Sequence, residues 1–160
     1  MADVVSIISR AETAAPATRR LGERGELAAQ NYLQQNGYRI VLLNFKVPVG
    51  RNTRGAEVTG EIDIIALNGD VLCFVEVKTR RSDEFADPLS AVSLRKQRQI
   101  IRTARIYRRI FGLHEMPFRY DAVTVLMPKY ADATIELSKG FWDESRFRKR
   151  RWSGDVRDAF

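Results

Sequence analysis

Gly60-Glu61-Ile62-Asp63-Ile64-Ile65-Ala66-Leu67-Asn68-Gly69-Asp70-Val71-Leu72-Cys73-Phe74-Val75-Glu76-Val77-Lys78-Thr79 is the stretch on which the fold turns. Two apolar, β-branched runs, Glu61 to Leu67 and Asp70 to Thr79, flank Asn68-Gly69, a dipeptide suited to the positive φ angles of a two-residue type I′ turn. A hairpin is expected. Such a turn pairs Leu67 with Asp70, Asp63 with Phe74 and Glu61 with Glu76. Side chains alternate between faces, so Glu61, Asp63, Leu72, Phe74, Glu76 and Lys78 share one face. Ile62, Ile64, Ala66, Val71, Cys73, Val75 and Val77 share the other.

Three carboxylates and a lysine therefore gather at the end of the hairpin away from its turn, within about 8 Å between backbones. Like charges so close repel and need compensation. Lys78 supplies part of it, and a hard divalent cation such as Mg²⁺ or Mn²⁺ would supply more. A soft-metal site is not expected, because Cys73 and His114 lie far apart and lack ligand partners. Asp63 and Glu76 would hold the metal, and Lys78 would orient water or stabilise charge developing at a phosphate. The competing reading is a cross-strand ion pair of Glu76 or Glu61 with Lys78 on a half-exposed sheet. Three acids set among apolar residues argue against it, since spare carboxylates are expensive to bury unless used.

Outward from the hairpin, small and apolar residues from Leu21 to Leu33 recur at helical spacing, predicting a first helix from Arg19 to Asn36 with Gly37 as its stop. Tyr38 to Phe45 reads as a strand, and Lys46 to Thr59 as an exposed loop or a wide hairpin. A long helix is expected from about Leu89, after Pro88, to Phe111, then strands over Phe118 to Met127 and Ala133 to Leu137. The order predicts an α/β sandwich around a mixed central sheet. Residues 1–18 read as a flexible N-terminal extension, 19–138 as the folded domain and 139–160 as a basic, aromatic C-terminal tail.

The formal charge of +7 favours polyanionic partners such as nucleic acid. One cysteine excludes a disulfide within the chain, and no apolar run nears the roughly 20 residues of a membrane span. Both suit a soluble, cytoplasmic protein with no membrane partner.

Gly60-Glu61-Ile62-Asp63-Ile64-Ile65-Ala66 and Phe74-Val75-Glu76-Val77-Lys78-Thr79-Arg80 closely resemble the PD-(D/E)xK nuclease motif. More narrowly, the chain resembles the YraN-like family of bacterial proteins, related to archaeal Holliday junction resolvases. The resemblance runs from Gly22 to Met127 and takes in Gly22-Glu23-Arg24-Gly25-Glu26, Lys96-Gln97 and Arg119-Tyr120-Asp121. It implies a restriction-endonuclease-like three-layer fold, a mixed central β-sheet flanked by helices. It also implies metal ligation by Asp63 and Glu76, a catalytic Lys78, an accessory catalytic Glu26 from the first helix, and Gln97 nearby. Two departures stand out: Ile62 replaces the motif's proline, and Lys46 to Thr59 is longer than the usual connection. Without the family pattern Glu26 reads as a solvated helix residue near Arg19 and Arg24, and Asp121 as a structural carboxylate pairing with an arginine.

Between Arg95 and Arg109 stand seven basic residues and no acid, with Arg95, Arg98, Arg102, Arg105 and Arg109 along one helical face. Leu94, Ile101, Ala104 and Phe111 would pack on another face, leaving the arginines for phosphates; pairing with acids elsewhere is the competing reading. The tail Arg146-Phe147-Arg148-Lys149-Arg150-Arg151-Trp152 mixes cations with aromatics that stack on bases or fold back on the domain. No base-reading motif is present, so recognition by shape and backbone is expected. The functional expectation is a Mg²⁺- or Mn²⁺-dependent endonuclease cutting DNA, at branched or repair intermediates by analogy with the resolvases. The alternatives are a nucleic-acid-binding protein of the same fold without cleavage, and an adaptor with basic surfaces. Resolvase-like chemistry favours a symmetric homodimer, although no interface for one is legible.

Overall fold

The computed structural model describes residues 16–81 and 92–147. The expected helix start at Leu89, residues 1–15 of the extension and the tail beyond Phe147 lie outside them. The elements are α1 (Ala17–Gln35), β1 (Tyr38–Arg51), β2 (Glu57–Asn68), β3 (Val71–Arg80), α2 (Leu94–Ile110), β4 (Phe118–Leu126) and β5 (Thr134–Trp142), with a short 3₁₀ turn at Ser145–Phe147. The five strands form one sheet in the order β1-β2-β3-β4-β5. Neighbours are antiparallel except β3 and β4, which are parallel because α2 crosses between them. With α1 over β3 and β1 and α2 over β2 and β1, this is the three-layer α/β fold that the motif implied.

Lys46 to Thr59 is a wide hairpin: β1 and β2 both run through it, paired from Tyr38↔Asn68 to Arg51↔Glu57. Pro48, which cannot donate to a ladder, is tolerated because β1 is an edge strand. β5 extends to Trp142, past its expected end at Leu137. Trp142 stacks on Tyr120 with ring centroids 5.3 Å apart, and that burial carries the strand into the segment taken for tail.

The hairpin register differs from expectation by two residues. Asn68 pairs with Val71 and Leu67 with Leu72, so the turn residues are Gly69 and Asp70. Gly69 has φ 60° and Asp70 keeps a negative φ, whereas a type I′ turn needs positive φ at both central residues. Arg119 Nη2 donates to Asn68 Oδ1 at 2.9 Å, holding Asn68 in the strand. A slide of two preserves the faces near the turn: Ile64, Ala66, Cys73 and Val75 pack with Ala29 and Leu33 of α1. Ile65, Leu72 and Phe74 pack with Ile100, Ala104 and Tyr107 of α2.

Further along β2 the alternation breaks. Ile62 lies in the α2 layer although Ile64 lies in the α1 layer, so the shared face expected for Ile62 and Ile64 is not found. The break falls between the pairs Leu43↔Ile64 and Phe45↔Ile62, at Asn44 and Asp63. Asn44, at φ 51°, is the one non-glycine with positive φ among the described residues, and asparagine tolerates that conformation better than most. Beside it, Asp63 Oδ2 accepts from the Val77 N–H at 2.8 Å, taking the place of a ladder bond from β2.

Two glycines set how closely the helices approach. A Cβ on Gly25 of α1 would lie 1.8 Å from Thr79 Oγ1, and one on Gly60 of β2 would lie 2.0 Å from Thr103 Oγ1 of α2. Gly25→Ala is therefore a sharp test. Helix propensity alone would stabilise the variant by about 1 kcal/mol, but overpacking against Thr79 costs roughly 1–3 kcal/mol. Net destabilisation in urea melts is expected, reversed in part by adding Thr79→Gly.

Candidate active site

The hairpin register brings Asp63 beside Glu76. The ladder ends at Ile64↔Val75, and the next step along each strand faces Asp63 toward Glu76, where Phe74 had been the expected partner. Glu76 is 7% exposed and Asp63 half-buried. Burial raises both carboxyl pKa values above the ordinary range. The charge of Asp63 adds to the rise at Glu76, while the Val77 N–H and the Lys96 ammonium oppose it at Asp63.

The compensating cation differs from expectation. Lys96 Nζ, from the first turn of α2, lies 3.3 Å from Glu76 Oε2. Lys78 is exposed, and among the described residues its ammonium forms no ion pair. It borders a cleft of about 300 Å³ between the start of α1 and the end of β3, shared with Thr18, Gly22 and Glu26. Glu61 leaves the face assigned to it: past the kink it pairs with Lys46 of β1 at 3.2 Å.

Glu26 reaches toward this group from α1, one residue after the Gly25 contact. Its pKa is raised by burial and then by the charges of Asp63 and Glu61, against a hydrogen bond with Asn44. The Asn44 and Lys96 side chains are contributions the sequence reading missed. Asn44 had a signal, a lone amide within the apolar run Leu42 to Phe45. Lys96 had none, because a helix expected from about Leu89 puts it well inside, and only the observed start at Leu94 makes it a first-turn base with no acid beside it. Gln97 is buried on α2, its Nε2 donating to Val92 O at 2.8 Å and its Oε1 without a partner.

The donor set fits a hard cation in part. Asp63 and Glu76 offer carboxylate oxygens, and Glu76 Oε2 is buried without a hydrogen bond, since the Lys96 contact lacks that geometry. Among the described residues no group of three acid, histidine or cysteine side chains converges as a ready cage. Mg²⁺ commonly makes do with one or two carboxylates, completing its shell with water and substrate phosphate.

Comparison with known proteins shows the family. The model of "Uncharacterised protein family UPF0102" matches residues 25–125. The chain belongs to the UPF0102 family. A UPF0102 protein of Chlorobium chlorochromatii is 40% identical over 133 residues, covering 79% of this chain and 95% of that one. One from Symbiobacterium thermophilum is 44% identical over 108 residues, covering 68% and 83%. The solved structure of Hjc, a Holliday junction resolvase of Archaeoglobus fulgidus, aligns over 72% of this chain and 75% of that one at 19% identity. Its TM-score of 0.35 is too low to carry an argument about activity.

In this UPF0102 protein Arg95, Arg98, Arg102, Arg105 and Arg109 are all exposed on α2. Arg105 is drawn to Glu144, its Nε donating at 3.1 Å, and Tyr120 donates to the same carboxylate at 2.8 Å. For that one arginine, pairing with an acid elsewhere is the observed state. Arg98 lies over the Phe147 ring at 5.3 Å. The buried face of α2 also departs from expectation: Leu94 and Phe111 are 49% and 55% exposed, while Gln97, Ile100, Thr103 and Tyr107 join Ile101 and Ala104 in packing. No helix of the described residues is long and apolar enough to cross a membrane.

Proposed function

We propose that this UPF0102 protein is a Mg²⁺- or Mn²⁺-dependent endonuclease that hydrolyses DNA phosphodiester bonds, with branched or repair intermediates as its substrate class. The observation that carries this reading is the half-buried Asp63 set against the buried Glu76, with Glu76 Oε2 lacking a hydrogen bond. A buried carboxylate pair is costly, and its retention beside an exposed basic helix suits a site made for a cation and a phosphate. Asp63 and Glu76 would hold the metal, which when bound supplies Lewis-acid polarisation of the phosphate and a lower pKa for water. Lys78, exposed at the end of β3, would meet the scissile phosphate and stabilise its developing charge. Glu26 restrains Asn44 and adds negative potential beside Asp63. Arg95, Arg98, Arg102 and Arg109 present cations to the DNA backbone, a contact that weakens steeply with salt.

A second reading, nucleic-acid binding without cleavage, is favoured by the absence of a three-ligand cage among the described residues. Incubation with linear duplex, single-stranded and four-way-junction DNA in Mg²⁺, Mn²⁺ or EDTA separates the two. The nuclease reading expects metal-dependent cutting that falls at least about a hundredfold in Lys78→Ala, the scale of losing one transition-state donor. Salt-dependent binding with no cutting of any substrate would establish the second reading.

A further inference from the structure

Lys96 stands where its own helix does not favour it. Ser93 caps α2, its Oγ accepting from the Lys96 N–H at 3.3 Å, so the backbone of Lys96 is fixed in the first turn. That turn holds Arg95 and Lys96 and no acid, against the preference of a helix N-terminus for negative charge. Departures from local preference of this kind mark functional positions when something nearby offsets them. Here the offset is Glu76, whose Oε2 lies 3.3 Å from the ammonium.

The contact is loose. Glu76 Oε2 is buried yet without a hydrogen bond, so the ammonium lies near the carboxylate without donating to it along a good axis. The Lys96 side chain is 29% exposed and the Glu76 side chain 9%, so the cation has a way out to solvent and the carboxylate does not. The same ammonium acts on Asp63. A single, partly exposed cation thus serves both carboxylates assigned to the metal. The neighbouring Arg95 and Arg98 are exposed, so an expelled ammonium joins a surface already basic.

We infer that Lys96 is a positioning residue that holds the metal's place: its ammonium neutralises Asp63 and Glu76 when the metal is absent, and leaves Glu76 for the solvent-facing side of α2 when a divalent cation binds. This rests on the proposed role of Asp63 and Glu76 as ligands. It assigns Lys96 a competition with the metal that Lys78, unpaired with either acid, does not enter.

Two measurements that do not depend on cleavage test it. In calorimetric titration with Mn²⁺ alone, Lys96→Met is expected to bind about tenfold more tightly than wild type, since the metal no longer displaces a cation. Lys96→Arg, which keeps the charge, is expected to stay near wild type, and circular dichroism checks that both variants fold. In the wild-type protein, acylation of Lys96 by an amine reagent, read by mass spectrometry, is expected to rise severalfold when Mg²⁺ replaces EDTA. Mn²⁺ binding equal in wild type, Lys96→Met and Lys96→Arg would overturn the placeholder and leave the metal site standing. Tightening in Lys96→Arg as much as in Lys96→Met would overturn it too, because size and not charge would be at work. No Mn²⁺ binding by any of them would remove the metal reading and this inference together.

Discussion

Asp63→Asn is expected to abolish Mn²⁺ binding and metal-dependent cleavage while raising the melting temperature of the metal-free protein. The opposite signs follow from one geometry. Asp63 Oδ2 accepts from the Val77 N–H at 2.8 Å, and an asparagine amide oxygen can keep that bond, so the kinked strand retains its support. The variant removes the half-buried one of two adjacent carboxyls whose pKa values are raised, by burial first and, at Glu76, by the charge of Asp63 next. Relief of that unfavourable burial is expected to raise the melting temperature by a few degrees, since about 1 kcal/mol is worth roughly 2–4 °C in a domain of this size. Loss of a ligand should exceed the roughly 10–100-fold that loss of a ligand's outer partner costs. Differential scanning fluorimetry in EDTA, with Mn²⁺ titration and a junction-cleavage assay, reads all three. A fall in melting temperature would mean that the pair is structural and that its retention needs no metal.

The second large effect lies one strand away, in β4, where Asp121 is paired with Val75. Asp121 is fully buried in β4. Its carboxylate accepts from Arg119 Nε at 2.9 Å, from Tyr38 Oη at 3.0 Å and from the Gly140 N–H at 2.8 Å. Arg119 Nη2 also donates to Tyr38 Oη at 2.8 Å and to Asn68 Oδ1 at 2.9 Å, so one guanidinium ties β1, β2 and β4 together. Arg119→Met strands the buried carboxylate and should cost about 3–5 kcal/mol in urea unfolding. Adding Asp121→Asn should recover a large part of that loss, because an amide keeps an acceptor for Gly140 without a buried charge. If the single variant lost less than about 1 kcal/mol, the network would be a surface pair in effect.

The two sites show how differently the sequence speaks about similar chemistry. Asp63, Glu76 and Lys78 lie within one hairpin, where strand periodicity and a short turn relate them directly. Two runs of β-branched residues around Asn68-Gly69 were enough to bring two acids together. The two-residue slide in register did not separate them, because side chains alternate with period two and a slide of two leaves each on its face. The first helix, the long second helix and the mixed sheet were likewise carried by local periodicity and by the order of the elements. Arg119-Tyr120-Asp121 could be read as a structural pair, since both charges sit on one short strand.

What the sequence alone determined is thus a set of local decisions: the helices and strands in outline, that one short hairpin joins β2 to β3, and that Asp63 and Glu76 share its open end. Tertiary structure decided everything that depends on a second segment's position. The kink at Asn44 and Asp63 sent Ile62 and Glu61 to unexpected sides, because a left-handed asparagine and a side-chain acceptor replaced part of the ladder. Gly25 and Gly60 became contact points only because Thr79 and Thr103 approach from other elements. Lys96 meets Glu76, and Arg105 meets Glu144, across 20 and 39 positions of chain. Periodicity repeats over a few residues and carries no information about such distances, so the cation at each carboxylate was set by packing.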